Sequence, residues 1–113
     1  MTLKARRLAL AAVAAAVLPS GVLAQPATDY PNRSVRIVVA YPPGQSTDIA
    51  TRYFAQKLTQ ALGQTFFVEN RPGASGNIGT AYAARATPDG YTLIMGASGT
   101  HAMNPALYEK PGF

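Results

Sequence analysis

Gly44-Gln45-Ser46-Thr47-Asp48 holds two hydroxyls and a carboxylate within five residues. Two chemistries fit that spacing. One is non-covalent: backbone N–H groups from Gly44 to Thr47, with the Ser46 and Thr47 hydroxyls, donate to an anion such as a carboxylate. The other is covalent: a serine on a strand-turn-helix corner is the arrangement of a nucleophile elbow. The G-x-S-x-G pattern fails at its last position, where Asp48 stands, and Gly96-Ala97-Ser98-Gly99-Thr100 fails there as well. His101 is the one imidazole in the chain, so Ser46 or Ser98 would have a single candidate base. An ordinary strand-to-helix turn is a third reading, and pattern alone leaves it open beside the anion cradle.

Gly73-Ala74-Ser75-Gly76-Asn77-Ile78-Gly79 invites a nucleotide reading, but the spacing is G-x-x-G-x-x-G and no G-x-x-x-x-G-K-[ST] occurs. A backbone-permissive loop that lets a helix and a strand pack closely explains the same residues. With one histidine, no cysteine and no metal-ligand spacing among the carboxylates, no metal or cofactor is expected. The absence of cysteine also excludes disulfides, thiolate chemistry and a lipid-modified N-terminal cysteine. The tyrosines read as core or rim residues, except Tyr41, which ends a strand beside the first cradle.

These motifs need strands and helices to position them. Val35 to about Tyr41 is a nearly continuous apolar run with Arg36 its only charge, as in a strand covered on both faces. Pro42, Pro43 and Gly44 end it. Ser46 or Thr47 is the expected N-cap of a helix running from about Thr47 to Leu62, with Asp48 in its first turn. Ile49, Tyr53, Phe54, Leu58, Ala61 and Leu62 recur at helical spacing and predict its buried face. Gly63 is the expected stop. Thr65–Glu69 predicts a second strand, about Ile78–Ala86 a short helix with Asn77 as a candidate cap, and Tyr91–Met95 a third strand after the turn Thr87-Pro88-Asp89-Gly90. Gly96–Pro105 reads as a small-residue loop. The order β-α-β-α-β predicts a parallel sheet, with the loops after its three strands at one carboxyl edge.

At 113 residues the chain holds one small domain at most. Its net charge of +5 owes three charges to Lys4, Arg6 and Arg7; the other basic residues are scattered and form no nucleic-acid patch. Those three cations, the apolar run Leu8–Leu18, the breakers Pro19, Ser20 and Gly21, and Val22-Leu23-Ala24 predict a secretory signal peptide over residues 1–24, cut after Ala24. Export without disulfides points to the periplasm.

Three long motifs, V-R-I-V-V-A-Y-P-P-G-Q-S-T-D-I-A, V-E-N-R-P-G-A-S-G-N-I-G and P-D-G-Y-T-L-I-M-G-A-S-G-T-H-A-M-N-P-A-L-Y, stand in order from Val35 to Tyr108. With them the chain resembles the extracytoplasmic solute receptors of tripartite tricarboxylate transporters, the Bug-type family. The resemblance implies a periplasmic-binding-protein-like α/β fold whose two lobes close on a carboxylated small molecule, without catalysis. It implies delivery to a permease with a large and a small integral membrane subunit. It implies that the loops after strands one and three contact the ligand, partly through backbone amides and ordered water. That nominates Tyr41, Pro43, Gly44, Gln45, Ser46, Thr47 and Asp48, then Ala97, Ser98, Thr100 and His101, with Gly73, Ala74, Ser75, Gly76 and Asn77 lining the cleft. The family usually has a second glycine where Gln45 stands. Its members are also longer, so residues 25–113 correspond to the N-terminal part of the first lobe, expected to be marginally stable and to bind poorly alone.

Overall fold

The computed structural model describes residues 29–113. The expected signal peptide and its cut after Ala24 lie outside the described residues. Strand β1 is Val35–Val39, helix α1 Ser46–Leu62, strand β2 Phe66–Asn70, helix α2 Asn77–Ala84 and strand β3 Thr92–Ile94. A tight turn at Ala74–Gly76 leads into α2, and a π-helical turn at Gly99–Met103 runs into the short helix α3, Asn104–Leu107. The β-α-β-α-β order expected from the sequence is present. Gly96–Pro105 differs: it is helical from its middle onward, because Asn104 and Pro105 open a helix that proline suits at its first turn.

The sheet is parallel, with strand order β2-β1-β3. The first crossover moves to one side of β1 and the second returns past it to the other. Right-handed connections of this kind put their helices on opposite faces, and the packing agrees. On one face Val35, Ile37, Phe66 and Ala55 of α1 form the core, backed by Leu58, Val68, Tyr91 and Met95. On the other, α2 lies so close to β1 that a Cβ on Gly79 would stand 2.6 Å from the Arg71 carbonyl oxygen and 3.0 Å from the Ala40 Cα. Arg36, the one charge in β1, points to this second face. It pairs with Glu69 at 2.8 Å and bonds the Tyr82 hydroxyl of α2. Arg71 takes the other Glu69 oxygen at 2.6 Å and stacks on the Tyr82 ring.

The buried face of α1 is not the one its apolar spacing predicts. Ile49, Tyr53, Phe54 and Leu62 are exposed, Ile49 by 62%. Asp48, Thr51 and Ala55 are buried instead. Helix and sheet approach closely there, so small residues face the strands. Thr51 and Thr59 satisfy their hydroxyls within the helix, on the carbonyl oxygens of Thr47 and Ala55. Gly63 ends the helix as expected, at φ 71° with its N–H on the Thr59 carbonyl.

The N-terminal lead-in straps onto the entrance of β3. The Tyr30 hydroxyl donates to Gly90 O at 2.6 Å, Arg33 pairs with Asp89 at 2.8 Å and stacks on Tyr91, and Asn32 brackets the Tyr91 hydroxyl.

Candidate functional site

Because all three strands are parallel, the loops that follow them leave the sheet at one edge. After β1 the chain turns to the α1 face. After β3 its path packs by the Gly76 turn on the α2 face, where Thr100 Cγ2 would meet a Cβ on Gly76 at 2.5 Å. The point where strand order reverses therefore lies outside β1 and β3, and at such points open α/β sheets bind ligands.

The first loop brings Tyr41 to Asp48 to that end of the sheet. Gln45, not Ser46 or Thr47, is the N-cap of α1, and no side chain caps the helix there. Ser46 and Thr47 are the first two helical residues. The first intrahelical bond runs from the Ile49 N–H to Gln45 O at 3.0 Å. The N–H groups of Gln45, Ser46 and Thr47 precede it and have no partner within the helix. Gly44, at φ 86°, makes the turn that leads into them.

Asp48 is buried, 3% exposed, and its carboxylate is fully engaged. One oxygen accepts from the Gly44 N–H at 2.9 Å and from Arg52 Nε at 3.0 Å; the other accepts from Asn70 Nδ2 at 2.8 Å. Arg52 hydrogen-bonded to it, the Gly44 amide and the Asn70 amide lower its pKa to about 2. Asn70, at the end of β2, also donates to Tyr41 O at 3.1 Å and accepts from Arg52 at 2.9 Å. These four residues lock the loop around its free N–H groups. Sequence reasoning missed Arg52 and Asn70; their signal was Arg52 one helical turn after Asp48 and Asn70 ending an apolar strand.

The third loop adjoins the first. The Tyr41 hydroxyl lies where a Cβ on Gly99 would stand 2.8 Å away. Thr100 is fully buried; its hydroxyl accepts from the Ala97 N–H at 3.3 Å and donates to Ala97 O at 3.1 Å. His101 Nδ1 also lies 2.7 Å from Thr100 Oγ1. Among the described residues the side-chain partner of His101 is thus Thr100, not Ser46 or Ser98. Ser98 and His101 are exposed and Ala97 is half-buried.

In the second loop Gly73, Ala74, Ser75 and Gly76 all have positive φ: 126°, 46°, 55° and 91°. Left-handed backbone costs a non-glycine residue about 1–2 kcal/mol, so Ala74 and Ser75 must be held. Asn104 of α3 holds them, with Nδ2 on Ser75 O at 2.8 Å and on Asn77 Oδ1 at 2.7 Å. The Tyr108 hydroxyl donates to Ser75 Oγ at 3.1 Å. The expected cap Asn77 is instead the first helical residue after Gly76, its side chain turned to Asn104. Sequence reasoning also missed Asn104 and Tyr108.

Residues 50–113 match the family described as tripartite tricarboxylate transporter family receptor. The chain belongs to that family. It is 41% identical over 90 residues to protein BugT of Bordetella pertussis, covering 79% of this chain and 28% of BugT. Among solved structures it is similar to periplasmic binding protein BugD (43% identity, TM-score 0.71). It is also similar to an R. palustris protein with adipate (42%, 0.72) and to MatC from Rhodopseudomonas palustris with bound malate (38%, 0.71). Each of these three covers 74% of this chain, which matches 28% of the first two solved chains and 29% of MatC. The receptor chain thus spans under a third of its relatives' length, and it carries the expected periplasmic-binding-protein-like α/β fold of a partial lobe.

Proposed function

We propose that the chain is the N-terminal part of the first lobe of an exported solute receptor that captures a carboxylated small molecule in the periplasm. The observation that carries this is the first loop: idle N–H groups from Gln45 to Thr47, held at the carboxyl end of β1 by the buried Asp48 network. A carboxylate there takes charge-assisted hydrogen bonds of about 1.5–3 kcal/mol each. The end of α1 adds about 0.3–1 kcal/mol. Asp48 and Thr100, whose polar atoms are spent inside the loops, position the others; Gln45, Ser46, Ser98 and His101 face the ligand. The malate and adipate in the related structures support a carboxylate as the class. A second lobe closes over the ligand and excludes water. The loaded receptor then docks on the large and small membrane subunits of its transporter, and the segment before Gln25 serves export.

A thermal-shift screen against mono-, di- and tricarboxylates tests this, on the chain and on a chimera in which it replaces the matched 29% of MatC. A ligand that binds only the native state raises Tm, by about 2.7 kcal/mol of stabilisation at one hundred times Kd. One acid shifting the chimera is the expected result. A well-folded chimera shifted by no acid overturns the reading.

A further inference from the structure

Asn104 stands in the third motif but outside the residues nominated to contact a ligand, yet it is 4% exposed and its two Nδ2 bonds cross to Ser75 O in the second loop and to Asn77 Oδ1 at the start of α2. The segment it holds is unusual. Four consecutive residues, Gly73 to Gly76, sit at positive φ, and two of them carry side chains. Such a turn persists only where its surroundings over-determine it. On one side Gly76 is pressed against Thr100 and Ala40, with no room for a Cβ. On the other, Asn104 grips the Ser75 carbonyl and Tyr108 the Ser75 hydroxyl. Thr100, Asn104 and Tyr108 all follow β3. The second and third loops are therefore stitched together by four separate contacts.

We infer that Asn104 is a positioning residue: its buried amide sets the left-handed turn at Ala74–Ser75 and makes the second and third loops one rigid wall of the cleft. The first loop is pinned separately, through Asp48 and Asn70. The cleft is thus built from two independently braced halves, and ligand affinity depends on Asn104 although it touches no ligand. This last step rests on the receptor reading above; the bracing of the turn does not.

Asn104→Ala and Ala74→Gly, singly and together, separate the cases. Glycine adopts the φ of 46° found at Ala74 without strain, so Ala74→Gly relieves what Asn104 holds down and leaves the bond between Ser75 and Tyr108 in place. Amide hydrogen exchange on the chain is the first readout. Asn104→Ala is expected to speed exchange of Ser75 to Gly79 at least tenfold while Ile37 to Val39 change less than twofold, and Ala74→Gly in that background to restore most of the protection. Uniform acceleration, or none at the turn, overturns the bracing. Should Asn104→Ala not fold, Ala74→Gly alone decides: Tm held or raised supports a strained turn, and Tm lowered overturns it. Malate or other acid binding by the MatC chimera is the second readout. Asn104→Ala is expected to weaken binding about tenfold, with recovery in the double variant. Unchanged affinity in a chimera that binds overturns the inference and leaves the receptor reading standing. A folded chimera that binds no acid overturns the receptor reading and, with it, the affinity role of Asn104.

Discussion

The Asp48 carboxylate and the Gly44 N–H meet at 2.9 Å, across four residues of the first loop. The acid that the family resemblance nominates as a ligand contact is spent on its own loop. Gly44 consequently spends its N–H internally, and the free donors begin at Gln45. The pair is one half of a capping box: an acid in the first turn of a helix reaches back to a backbone donor that precedes the cap, and no side chain answers it from Gln45.

That brace sets an acid limit. Folding lowers the Asp48 carboxyl from 3.8 to about 2, through Arg52, Gly44 and Asn70. The folded state therefore holds its proton less tightly than the unfolded state. The stabilisation is complete above 3.8 and is lost as pH falls through about 2. Asp48→Asn should lower Tm at neutral pH and flatten its decline between those values. A Tm against pH profile that keeps the parental slope would exclude Asp48 as its source.

Asn70→Ala should cost about 1–3 kcal/mol, the penalty for stripping a partner from a buried acceptor. Asn70 serves both Asp48 Oδ1 and Tyr41 O. Urea denaturation reads the loss directly. An effect below about 0.5 kcal/mol, usual for surface sites, would show that water replaces the amide.

Gly79→Ala tests the contact between α2 and β1. Alanine is worth about 1 kcal/mol more than glycine in a helix. Here the added methyl would meet the Arg71 carbonyl oxygen at 2.6 Å, and backbone cannot swing aside. Overpacking costs about 1–3 kcal/mol, so a net loss of stability is expected. A gain in the urea midpoint would mean that the helix can lift off the sheet freely.

Helix α1 offers a paired comparison. Ile49→Ser and Tyr53→Ser, both on its solvent side, should each stay within about 0.5 kcal/mol of the parent. Ala55→Leu, in the core against Val35 and Phe66, should lose about 1–3 kcal/mol. The reverse ranking would restore the buried face that the apolar spacing predicts.

Much of the fold was legible because its signals are local. The apolar run of β1, the stop at Gly63 and the turn at Gly90 each depend on a few neighbouring residues, and each stands where it was expected. The face of α1 was not legible. Ile49 and Tyr53 look like core by type, but the close approach of helix and sheet selects Ala55 and Thr51, whose hydroxyl is satisfied on its own helix. The braces of the site were hidden for a different reason. Asp48 with Asn70, and Ser75 with Asn104, are 22 and 29 residues apart. Asparagine in a loop carries no mark of what it will reach. The left-handed backbone at Ala74 and Ser75 was equally silent, since neither residue favours it.

The strap of Tyr30 and Arg33 onto Gly90 and Asp89 joins residues 60 and 56 positions apart. Closing a loop of that length costs more entropy than forming nearer contacts. Until β3 has docked beside β1, Tyr30 and Arg33 have nothing ordered to grip. The strap is a late fastening: the lead-in to the first strand takes its place only after the third strand has taken its own.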